Sequence, residues 1–74
     1  MESSLSSFPK NSRVKILTVQ LPDSYMTHKL TSLGIHTGAV VVIHQHYPML
    51  LLSRGQTLVG IRASAGQQIM GVLA

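Results

Sequence analysis

Residues 39–62 read AVVVIHQHYPMLLLSRGQTLVGIR, three strand-like runs with almost nothing between them. The stretch 39–46 opens on Val40, Val41, Val42 and Ile43, a β-branched run that suits a pleated surface buried on both faces. Tyr47-Pro48 interrupts it, because proline has no N–H to give a ladder. Residues 49–53 form the next run, and Arg54-Gly55 is the turn after it. Glycine there supplies the φ that favoured two-residue hairpins require, and 56–62 pairs back.

The pattern extends in both directions. Upstream, from Arg13, Val14, Ile16 and Thr18 alternate with Lys15, Leu17 and Val19, and Leu21 continues the second face until Pro22 ends the ladder. Asp23 or Ser24 is a helix N-cap, its side-chain oxygen accepting from the free N–H groups of the first turn. Met26, Leu30 and Leu33 then recur at helical spacing, with His28, Lys29 and Ser32 towards the other side. Gly34 is the residue that closes such a helix in the left-handed conformation. A helix over about 23–33 is too short to stand alone, so its Met/Leu stripe must dock across the rest of the chain. Gly38 is the positive-φ residue of the following turn. Downstream, 63–68 is one short turn and Ile69–Leu73 a last strand. Five short strands in so few residues predict a small closed barrel, closure also removing exposed edges. Residues 1–12 hold five serines, a proline and no apolar periodicity. They are expected to be a flexible arm ahead of a single domain at 13–74.

Composition excludes much. The chain has 74 residues, of which 45% are hydrophobic and 11% charged, the opposite of a disordered composition. It has no cysteine, so thiolate metal sites, disulfides and cysteine nucleophiles are absent together. Glu2 and Asp23 are its only acids, and no serine has a base and acid arranged around it, so an enzyme is not expected. No apolar run approaches the roughly 20 residues of a membrane helix. The first residues lack the order of a secretory signal, Lys10 and Arg13 following the serines rather than leading. A cytoplasmic location is expected. The net charge of +4 and pI near 10.2 owe more to missing acids than to many cations.

Three constellations bear on chemistry. His44 and His46 stand two apart on a strand, which places both rings on one face as half of a weak divalent transition-metal site; strand-end polar residues are the plainer reading. Lys10, Arg13 and Lys15 form a basic cluster that suits phosphates; a solvated edge is the plainer reading. The aromatics Phe8, Tyr25 and Tyr47 are too scattered to stack bases, so nucleic acid is not the expected partner. Neither GxxxxGK[ST] nor GxGxxG occurs, and no cofactor is called for.

The segment LTSLGIHTG, 30–38, and the valine strand after it resemble the ferrous iron transport protein A (FeoA) family. The matching positions are Leu30, Leu33-Gly34, Gly38, Val40 to Val42, Pro48, Gly55, Val59-Gly60-Ile61-Arg62, Ala65, Ile69 and Val72. Lys29 stands where the family usually has arginine, and Ser6, Ser7 and Phe8 where it usually has an apolar opening. The resemblance implies an SH3-like five-stranded barrel with one helix packed across it. It implies a small cytosolic accessory protein of bacterial ferrous iron uptake, docking on the cytoplasmic side of the membrane transporter, at its guanine-nucleotide-binding domain or its membrane region, and so peripheral at the inner membrane. Tyr25, His28, Lys29 and Tyr47 are the candidate contact residues, since rims and loops of rigid barrels carry recognition. The alternatives are an Sm-like RNA-binding barrel, whose helix precedes the first strand instead of following it, and a metal-sensing SH3-like domain using His44 and His46. Self-association is left open for so apolar a barrel.

Overall fold

The computed structural model describes residues 2–74. Six antiparallel strands form one sheet: β1 (Ser3–Ser4), β2 (Arg13–Val19), β3 (Val40–Gln45), β4 (Leu50–Arg54), β5 (Thr57–Ile61) and β6 (Ile69–Leu73). Their order is β1-β6-β2-β3-β4-β5, curled into a small SH3-like barrel. Helix α1 (Ser24–Ser32) lies in the β2–β3 connection, and the single helical turn α2 (Ala63–Gly66) joins β5 to β6. The five expected strands and the helix are present, and β1 is added to them.

That addition corrects the expectation of a flexible arm over 1–12, of which Met1 lies outside the described residues. Ser3 and Ser4 pair with Gly71 and Met70 of β6. A 3-10 turn, Leu5–Ser7, then puts Leu5 into the core at 0% exposure, and Phe8 follows at 8%. The two apolar residues are three apart, one turn of such a helix, and their burial outweighs the serines around them. The turn at Pro9–Ser12 is closed by Ser12 N–H donating to the Pro9 carbonyl at 3.2 Å, with Asn11 at φ 73. Asn11 and Ser12 then exchange backbone hydrogen bonds with Ile43 at 2.6 and 2.9 Å, extending the β2–β3 ladder.

Closure also differs from expectation. Hydrogen bonding leaves β1 and β5 as the two ends of the sheet. The gap is closed by packing: α2 lies against the 3-10 turn, and Ser6 Oγ donates to the Ala63 carbonyl at 3.1 Å. The chain between β5 and β6 is occupied by α2, which carries it across the barrel instead of extending a strand.

The core is aliphatic apart from Phe8. Val14, Ile16, Val41, Ile43, Leu52 and Ile69 are all at 0% exposure, and no polar or charged residue among those described is buried. A β-bulge in β2 between Ile16 and Thr18 explains how two sets of residues both face inward there. One inserted residue shifts the inward set from even to odd positions, so Val14 and Ile16 are buried while Val19 and Leu21 pack on the core further along. In β3 only Val41 and Ile43 are buried; Val40 and Val42 are half-buried on the outer face, short of the burial on both faces expected for this run.

Asp23 caps α1, its Oδ1 accepting from Tyr25 N–H at 2.9 Å. Gly34 ends it at φ 90, with Gly34 N–H on the Thr31 carbonyl at 3.0 Å and Ile35 N–H on the Leu30 carbonyl at 2.8 Å. That pair of bonds is a Schellman motif, and the buried Leu30 and Ile35 make its hydrophobic contact. Of the predicted stripe Leu30 is buried and Met26 half-buried, but Leu33 is 37% exposed because it is the C-cap, where the helix has already turned away.

Candidate docking surface

Two segments distant in sequence meet beside the N-terminal end of α1. Gln20 N–H donates to the Gln68 carbonyl at 2.9 Å, which ties the exit of β2 to the exit of α2. Between them opens a cleft of about 240 Å³, lined by Leu21, Pro22, Asp23 and Met26 on one side and Arg62, Ser64, Ala65 and Gln68 on the other. Leu21, Met26 and Ala65 pack on the core and form an apolar floor, while Asp23, Arg62, Ser64 and Gln68 are exposed. An apolar floor with a few convergent polar groups is the usual composition of a recognition site. Asp23 already holds the first turn of α1 through one oxygen; Arg62 brings a planar donor fork suited to a carboxylate. The adjoining end of the β4–β5 hairpin is apolar too: Met49 lies over Gly60, its Sδ 2.7 Å from where a Cβ would stand.

The four contact residues expected from sequence do not line this cleft. Tyr25 stands between Asp23 and Met26, which do, and is 72% exposed; His28 and Lys29 are exposed further along α1. Tyr47 is 87% exposed on the β3–β4 connection, before a cis bond to Pro48. The cleft residues Leu21, Pro22, Arg62, Ser64 and Gln68 were not singled out by sequence reasoning, since no local pattern relates residues 21–26 to 62–68.

The histidines are placed differently from the shared-face expectation. A bulge between Ile43 and Gln45 breaks the alternation that would align His44 with His46. His44 Nε2 and Ser53 Oγ share a hydrogen bond at 2.7 Å, while His46 is exposed beyond the end of β3. His36 Nδ1 lies 3.0 Å from the Thr37 carbonyl. Among the described residues no three histidines or acids come together as a group that would hold a metal ion, and no helix is long and apolar enough to cross a membrane.

Comparison with solved structures gives close matches of fold. The chain is similar to an iron uptake regulatory protein (FeoA), with TM-score 0.80, 22% identity and 96% of both chains covered. It is similar to the FeoA protein of Chlorobium tepidum, with TM-score 0.86 and 20% identity over 96% of this chain and 70% of that one. The IdeR of T. acidophilum matches with TM-score 0.87 and 15% identity over 99% of this chain but 34% of its own. The barrel therefore also occurs as one part of a larger protein. Comparison with curated proteins gives no match. The FeoA domain model matches residues 3–72, a span that takes in β1, the 3-10 turn and the whole barrel. The chain belongs to the FeoA domain family.

Proposed function

We propose that this protein is a non-enzymatic accessory of bacterial ferrous iron uptake that docks on the cytoplasmic side of the membrane ferrous iron transporter. Family membership supports the iron-uptake setting, in line with a structural neighbour described as an iron uptake regulatory protein. The observation that carries docking is the cleft between α1 and α2. Its volume of about 240 Å³ suits one or two apolar side chains of a partner, with Asp23 and Arg62 reading opposite charges at the rim. Tyr25, His28, Lys29 and Tyr47 form the wider contact. The protein works in the cytoplasm, peripheral at the inner membrane through the transporter, and needs no cofactor.

Docking alone does not regulate. A bound partner shifts a two-state equilibrium only by the ratio of its affinities for the two states, and a tenfold shift takes about 1.4 kcal/mol of difference. The test is calorimetric titration of the transporter's cytoplasmic portion, with and without guanine nucleotide. Unequal affinities are expected. Equal affinities in the two states would remove the regulatory part of the proposal, and no heat in either state would remove docking on that portion.

A further inference from the structure

We propose that the outer face of β2, β3 and β6 is a contact surface for anionic lipid headgroups, so that the protein meets the bilayer directly. Arg13 and Lys15 are exposed and two apart on β2, which puts them on one side of the strand about 7 Å from each other. Lys10 is exposed in the turn that leads into the same strand. Strand register fills the space between these cations. Arg13 is paired with Val42, and Lys15 with Val40 on one side and Val72 on the other, all half-buried valines. At the same end Ala74 N–H donates to the Arg13 carbonyl, which brings the end of β6 alongside Arg13.

Charge and shape argue for the same occupant. Three of the six cations lie here, and β2, β3 and β6 contain no acid. Of the two carboxylates, Asp23 is engaged at the α1 cap, and Glu2 precedes β1 at the rim of this face, beyond Val72 and one strand further out than Lys15's neighbour. The remaining cations sit elsewhere: Lys29 on α1, Arg62 at the cleft, and Arg54 over Gly34. The outside of a barrel is convex, and peptide recognition modes depend on a groove or a free strand edge. The central strands β2 and β6 offer neither, since each is paired on both sides. A compliant plane of negative headgroups meets a convex basic face with apolar side chains between its cations.

The experiment is vesicle co-sedimentation of the full chain, with phosphatidylcholine alone and with phosphatidylcholine mixed with phosphatidylglycerol, over a salt series. Binding to the mixed vesicles only, falling as salt rises, is expected. Each cation contributes about fivefold to partitioning, the factor equivalent to about 1 kcal/mol. Arg13→Gln with Lys15→Gln should therefore weaken binding about thirtyfold, and the exposed Lys29→Gln should change it less than about twofold. On the unaltered protein, amide line broadening should concentrate at residues 10–15, 40–42 and 72–73. Equal binding to both vesicle types, equal loss in Lys29→Gln, or binding to polyglutamate in place of vesicles would overturn the proposal, the last by identifying an acidic protein as the occupant. No transporter is present, so failure here leaves docking through the cleft untouched.

Discussion

A Cβ on Gly71 would lie 2.5 Å from Val14 Cγ1 and 2.7 Å from the Lys15 carbonyl oxygen. The second neighbour is backbone in a paired strand and cannot swing aside. Gly71→Ala is therefore expected to destabilise the protein by about 1–3 kcal/mol through overpacking, read as a lower urea midpoint with unchanged slope. Gly34 is constrained differently. Its φ is +90, and a Cβ would also meet the Arg54 guanidinium at 2.8 Å. Gly34→Ala should cost about 1–2 kcal/mol from the backbone alone, and unchanged stability would contradict the left-handed helix end. The role of Gly34 was legible because helix-closing chemistry is local. That of Gly71 was not, since its constraint comes from a strand far off in sequence. His44 fell between these cases: its strand was readable, but the bulge that takes its ring away from His46's face depends on pairing with β4.

Helix α1 is held by very little. Leu30 is its one buried residue, with Met26 half-buried on the same side, so a nine-residue helix depends on a single side chain and its two caps. Leu30→Ala should cost about 2–5 kcal/mol, with amide protection lost first in α1. Asp23→Ala removes the hydrogen bond to Tyr25 N–H and should cost about 1 kcal/mol. If α1 amides kept full protection in both variants, the helix would have support beyond these contacts. At the other end of the chain, Leu5→Ala is expected to cost about 2–5 kcal/mol as well. A neutral result would restore the flexible arm. That segment misled sequence reasoning because serine-rich composition hides a spacing of only two apolar residues, and the sheet edge that receives it belongs to β6. By contrast β6 itself, the hairpin at Gly55 and both ends of α1 were readable from periodicity and turn residues.

In the whole molecule, the barrel was legible from the succession of short strands and the family resemblance, whereas the cleft was not. It forms only when the β2–α1 connection and α2 come together, joined by Gln20 and Gln68. No polar or charged residue is buried among the described residues, so the side chains open to a partner are those of the cleft and the outer faces. Ala65→Arg would fill the floor of the cleft while leaving the strands untouched. It is expected to weaken docking at least about tenfold, the loss typical of a central contact, with little change in the far-ultraviolet spectrum.

Docking through the cleft is most directly tested by an NMR titration of labelled protein with the purified cytoplasmic portion of its own organism's ferrous iron transporter. Saturable shifts should appear at residues 21–26 and 62–68, spread to His28, Lys29 and Tyr47, and weaken with Ala65→Arg. Spectra unperturbed at high partner concentration, or shifts confined to β2 and β6, would contradict it.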